Sequence, residues 1–178
     1  NNYLAFNDAT GSPHNAFEAV FVSGTTFFKN IASESDYGFW LSYTTNTKLE
    51  ENKIMGNKRS GVAADRAANI EVTRNLINSN KGHGVDLWED TPLKRFEHAK
   101  SQSHKIMNNY INENNGYGIS LDETKSTTIA NNELSGNYLS NILATLTSDI
   151  EISNNNIVKC ASCVLSVVAK QTQNPLKA

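Results

Sequence analysis

The chain is predicted to be all-β: short parallel strands stacked as successive coils around one dry interior, with 23-residue coils and one 11-residue insertion. Three observations predict this. The tripeptide Asn-x-Ile/Leu recurs from Asn52, Asn75, Asn109, Asn132 and Asn155, at spacings of 23, 34, 23 and 23 residues. Nine residues after the asparagine stands Gly61, Gly84, Gly118 or, in the next repeat, Asn141. Directly after that residue the first and third positions are apolar in every repeat, and helical periodicity is absent from the unit. Together these define a single-stranded β-solenoid, taken as one domain over residues 1–178.

The first strand of each unit follows the glycine: Gly38-Phe39-Trp40-Leu41, Gly61-Val62-Ala63-Ala64, Gly84-Val85-Asp86-Leu87, Gly118-Ile119-Ser120-Leu121 and Asn141-Ile142-Leu143-Ala144. Positions one and three past the bend are apolar every time, which marks one buried face. A second strand carries Leu49, Val72, Ile106, Ile129 and Ile152, each three residues before the repeated asparagine. The Ile or Leu of the tripeptide belongs to a third short stretch. Glycine and asparagine tolerate positive φ best, so the recurring Gly/Asn is expected to turn the chain in a left-handed conformation. The repeated asparagines are expected to form a hydrogen-bonded ladder along the stack.

Upstream, Ala16-Phe17-Glu18-Ala19 aligns with Gly38-Phe39-Trp40-Leu41, and NNYL at Asn1 echoes NNYI at Asn108, so the chain starts inside a repeat. That start is expected to be a trimmed end or part of a longer chain. VLSVVAK near the C-terminus reads as a degenerate last coil before a polar tail. Cys160 and Cys163 are spaced for either a small disulfide or two buried thiols.

The 16 basic and 18 acidic side chains are interspersed and leave a net charge of -2. No basic field attracts nucleic acid or an anionic membrane. No apolar run approaches the roughly 20 residues that span a bilayer. His14, His83, His98 and His104 show no zinc spacing, and two methionines and two cysteines supply few soft ligands for copper. No cofactor or metal is predicted. The outward columns lack the regular threonine array of an ice-binding face.

The Asn-x-Ile/Leu repeat, its glycine bend and its Ile-x-Leu strand resemble the right-handed parallel β-helix repeats of carbohydrate-active enzymes and of NosD-type periplasmic proteins. This resemblance implies a right-handed coil, an extracellular or periplasmic location and a polysaccharide or oligosaccharide partner. Fold alone does not assign an activity. Ser12-Pro13-His14-Asn15 resembles the Asp-Pro-His-Asp motif of mannuronan epimerases but lacks both aspartates, which counts against that reaction. A lyase or uronate epimerase needs a base and a cation, for which Arg66, Arg95, His83 and His98 are available types, but no motif fixes their geometry.

Candidate site residues come from the outward strand positions, two and four past the bend. The first column reads Glu18, Trp40, Ala63, Asp86, Ser120, Leu143, and the second Val20, Ser42, Asp65, Trp88, Asp122, Thr145. A flat indole beside hydrogen-bonding acids suits a sugar ring with its apolar face and hydroxyl rim. Trp40, Trp88, Glu18 and Asp122 are therefore candidate sugar contacts. Asp86, near Trp88, is the candidate general acid and Asp65 the candidate base of an inverting hydrolase pair. The insertion within Glu89 to Ser103 is expected to hold a short helix begun by Thr91-Pro92 and to supply basic residues for an acidic glycan, Arg95 among them; Arg66 is a further candidate for substrate binding. It can wall the sheet or fold back and bury Trp88. Binding without turnover, as a glycan-binding or adhesin module, and NosD-like metal handling are the competing functions.

Overall fold

A computed structural model describes residues 1–158 and the backbone of residues 166–168. The chain winds through three parallel sheets, two of seven strands and one of six. Each coil visits them in one order. Sheet A runs from Asn2–Ala5 through Thr45–Glu50 and Ala68–Thr73 to Ser148–Ser153. Sheet B runs from Ile31–Ser33 to Asn156–Val158. Sheet C, which carries the candidate residues, comprises Phe17–Val20, Phe39–Ser42, Val62–Asp65, Val85–Trp88, Ile119–Asp122, Ile142–Thr145 and Ser166–Val168. The last strand pairs with Ile142–Thr145, so Ser166–Val168 continues the stack. Cys160, Cys163 and the polar tail lie outside the described residues.

Equal coil lengths bring repeated side chains into register. Phe39, Val62, Val85, Ile119 and Ile142 pair strand to strand and form one fully buried internal row. Leu41, Ala64, Leu87, Leu121 and Ala144 form the next. Leu49, Val72, Ile106 and Ile129 line sheet A, and Ile54, Ile77, Ile111 and Leu134 line sheet B. Each such aliphatic side chain contributes roughly 1.5–3 kcal/mol through burial. At the N-terminal end the stack changes to aromatic, with Phe17 stacked on Phe39 at 5.0 Å and Phe27 edge-on to Phe39 at 5.1 Å.

The asparagine ladder is present and unbroken. From Asn30 through Asn52, Asn75, Asn109 and Asn132 to Asn155, each Nδ2 donates to the next Oδ1 at 2.9–3.1 Å. Each Oδ1 also accepts the backbone N–H of the preceding asparagine, and each Nδ2 donates to a carbonyl of the previous coil. A second ladder, which sequence reasoning missed, lies five residues on: Asn57, Asn80, Asn114 and Asn137 are joined at 2.8–3.0 Å and end on Asn141 Oδ1 at 2.8 Å. The spacing Asn-x4-Asn, repeated at 52/57, 75/80, 109/114 and 132/137, was its visible mark.

The bend glycines act differently from expectation. Gly38, Gly61, Gly84 and Gly118 do not adopt positive φ. Their missing Cβ makes room for the neighbouring coil: one built on Gly84 would stand 2.5 Å from the Gly118 carbonyl oxygen and 2.5 Å from Ile111 Cγ2. Left-handed backbone falls instead at four other recurring positions of the coil, and 20 non-glycine residues among those described adopt it. The corner leaving sheet C is one of them, with Phe21, Tyr43, Arg66, Glu123 and Leu146 at φ 46–57°. There the chain must turn within two residues from sheet C into sheet A, between strands already held by sheet bonds, and that context outweighs intrinsic preference.

Candidate functional site

Sheet C presents three outward columns. Besides the two read from sequence there is a third, immediately before the bend: Asn15, Tyr37, Ser60, His83, Tyr117 and Ser140. Strand pairing places Trp40 beside Ala63, Ala63 beside Asp86, and Asp65 between Ser42 and Trp88. Trp40 and Trp88 therefore stand on diagonal corners of one patch. The methyl of Ala63 leaves the space between them, and the indoles meet across it at 5.7 Å between ring centroids and 61°. Ala63 points outward yet is fully buried. Tyr37 continues the aromatic strip at 5.0 Å from Trp40, and the Arg59 guanidinium lies 5.4 Å over Tyr37 with Nη1 3.3 Å from its hydroxyl. Both tryptophans stay half-buried, so their outer faces remain available.

Two carboxylates flank the indoles. Burial pushes the Asp86 carboxyl above the usual carboxylate range; His83 and the hydroxyls of Ser120 and Ser60 pull the other way, and Asp122 adds to the rise. Burial also raises Asp65, whose Oδ1 accepts the Asp90 N–H at 3.1 Å. The nearest electrostatic partners differ: His83 and Asp122 for Asp86, Asp90 and Arg66 for Asp65.

His83 and Tyr117 were not assigned roles from sequence. The imidazole stacks on Tyr117 at 5.2 Å, and its Nδ1 accepts the Tyr117 backbone N–H at 2.9 Å. An accepting Nδ1 leaves the ring proton on Nε2. A Cβ at Gly116 would sit 2.4 Å from Nδ1, so the ring packs where only glycine leaves space. The one available sign was that Tyr37, His83 and Tyr117 each precede a bend glycine.

The insertion walls one edge of the patch. Its helix is a single 3-10 turn at Lys94–Phe96 with no side-chain cap, shorter than the helix expected from Thr91-Pro92. Phe96 stacks on Phe21 at 4.7 Å and lies 5.4 Å from Tyr43, whose hydroxyl accepts the Leu93 N–H at 3.0 Å. These partners belong to the corner beyond Trp88, so the insertion runs along the sheet edge and anchors away from the indoles. Its root is an ion cluster. Arg66, 5% exposed, reaches Glu89 at 3.2 Å and the Ala99 carbonyl at 2.8 Å, and Lys100 Nζ lies 2.7 Å from the same carboxylate. Burial alone would raise Glu89, but Lys100, the Ser101 amide and Arg66 outweigh it and hold the carboxyl below its ordinary range.

Three sequence candidates remain. The Arg95 guanidinium stacks over Phe96 at 4.8 Å and Phe21 at 5.6 Å. Asp122 is exposed and pairs with Thr145; the sheet register reaches Leu87 and Leu121 but stops before Trp88, where the insertion departs. Glu18 is exposed near the N-terminal end, accepting from Asn15 Nδ2 at 3.3 Å. Among the described residues no group of three or more His, Cys, Asp or Glu is placed to hold a metal, and no helix is long and apolar enough to cross a membrane.

Comparison with known proteins agrees with this architecture. The family described as "Right handed beta helix region" matches residues 1–98 and 95–175. No curated protein sequence matches the chain. Among solved structures, the periplasmic alginate epimerase AlgG superposes with a TM-score of 0.56 at 16% identity, over 88% of this chain and 47% of that one. The A-module of the Azotobacter vinelandii mannuronan C-5 epimerase AlgE4 gives 0.51 at 15% identity, over 92% and 58%. The chain thus spans about half the length of these structures, and likeness at this identity is likeness of fold.

Proposed function

The chain belongs to the right-handed β-helix family, and on that premise we propose that it binds a carbohydrate along sheet C, across Trp40 and Trp88. One observation carries the reading: two tryptophans, separated by a buried alanine and flanked by Asp65 and Asp86, stay partly exposed on the outer side of a parallel sheet. Exposed indole surface gains by covering a sugar ring, and the adjacent carboxylates accept its hydroxyl protons. Polysaccharide epimerases built on the same fold support a carbohydrate partner and an extracellular or periplasmic location. Arg66 and Arg95 position the insertion in this reading rather than touch the glycan, since one is ion-paired to Glu89 and the other stacked on Phe96.

Glycan binding by calorimetry or affinity electrophoresis tests it. Trp88→Ala is expected to weaken binding at least tenfold, about 1.4 kcal/mol. Unchanged affinity in both Trp40→Ala and Trp88→Ala refutes the site.

Hydrolysis is the second reading, favoured by one feature: burial raises both carboxyls. Asp86 would donate the proton to the leaving oxygen and Asp65 would activate water. Asp86→Asn should abolish product release while leaving binding in place; turnover equal to the parent protein removes the assignment.

A further inference from the structure

The charges around the two indoles narrow the kind of glycan that fits. Within the three outward columns of sheet C the ionisable side chains, apart from His83 and the tyrosines, are Glu18, Asp65, Asp86 and Asp122, and no lysine or arginine stands among them. Asp90 adds a further carboxylate on the insertion wall beside Asp65. His83 Nδ1 is taken up as acceptor of the Tyr117 backbone N–H.

The cations at the root of the insertion are committed elsewhere. Arg66 and Lys100 converge on Glu89, and Arg66 is buried there. Arg95 lies over the Phe96 and Phe21 rings, at the corner beyond Trp88. Arg59, at the rim, is shared between Asp36 at 3.8 Å and the Tyr37 ring. An anionic sugar laid across Trp40 and Trp88 would meet several carboxylates and no lysine or arginine within the three columns, in partly desolvated surroundings where like charges repel most strongly. A glycan whose polar groups are hydroxyls or amines donates to those same carboxylates.

We propose that the ligand of this sheet is a glycan without carboxylates, read by hydroxyl or ammonium hydrogens donated to Asp65, Asp86 and Asp122. This rests on the carbohydrate-binding reading above and reverses the expectation from sequence that the basic insertion would suit an acidic polysaccharide. It also separates this chain from the alginate named for its structural neighbours.

The test measures binding of soluble β-glucan and xylan fragments, chitosan oligosaccharides, and oligouronates from alginate and polygalacturonate, each to the parent protein, to Trp88→Ala and to Asp65→Asn/Asp122→Asn. The expected result is Trp88-dependent binding of a neutral or amino glycan at least tenfold tighter than any oligouronate. The double asparagine variant should narrow that gap at least threefold, because it removes charge and keeps shape. Trp88-dependent binding of an oligouronate as tight as any neutral or amino glycan overturns this inference and leaves the carbohydrate reading standing. Binding of none of these sugars overturns both.

Discussion

His104 lies inside the solenoid, 1% exposed, in the column that holds Thr47, Ile70 and Thr127 in neighbouring coils. Its Nε2 is 3.1 Å from Ser101 Oγ, and its Nδ1 has no partner. Burial without a counter-charge lowers its pKa from 6.5 to about 4. The unfolded chain therefore takes up a proton as pH falls below about 6.5, and the folded chain does not until about pH 4. The histidine's contribution to stability is complete above pH 6.5 and is lost progressively down to pH 4. A shift of 2.5 units at 1.36 kcal/mol per unit amounts to about 3 kcal/mol. His104→Ile, which repeats the neighbour Ile70, removes this term. Urea unfolding followed by tryptophan fluorescence at pH 7.5, 5.5 and 4 should show the variant gaining about 3 kcal/mol on the parent protein across that range. Taking the difference between the two proteins cancels Asp65, Asp86, Glu71 and Glu89, which titrate in both. Parallel curves would mean that His104 is hydrated or charged in the folded state, and the reasoning would fail.

Three further perturbations test the scaffold and the wall. Asn109→Ala strips partners from the buried Val72 carbonyl and from the N–H and Nδ2 of Asn75, and should cost on the order of 3 kcal/mol in urea unfolding. Gly84→Ala forces a methyl against the Gly118 carbonyl and Ile111, with an expected loss of about 1–3 kcal/mol; because the constraint is space and not φ, Gly84→Asn should be no better tolerated. Glu89→Ala leaves the Arg66 charge buried and unpaired, so limited proteolysis should cut within residues 90–99 faster, with a stability loss of about 3 kcal/mol.

Much of the fold was legible because it is arithmetic. Strand side chains alternate with period two, and coils of one length turn sequence spacing into vertical neighbourhood. Hence Phe39, Val62, Val85 and Ile119 could be placed in one row, and Asn52 to Asn155 in one ladder. The glycine was misread because composition does not distinguish a residue needed for its φ from one needed for its lack of volume. Gly84 is small because Ile111 and the Gly118 carbonyl, 27 and 34 positions away, approach it.

The candidate site divides along the same line. Sequence alone determined which residues face outward on sheet C and that Trp40, Asp65, Asp86 and Trp88 share that face, since facing depends only on register within the repeat. Tertiary structure decided that the indoles meet over Ala63, that His83 docks on Tyr117, and that Arg66 and Lys100 turn to Glu89. Those contacts depend on rotamers and on the path of an insertion that has no counterpart in the adjoining coils. For such a segment, only packing against the finished solenoid selects the conformation.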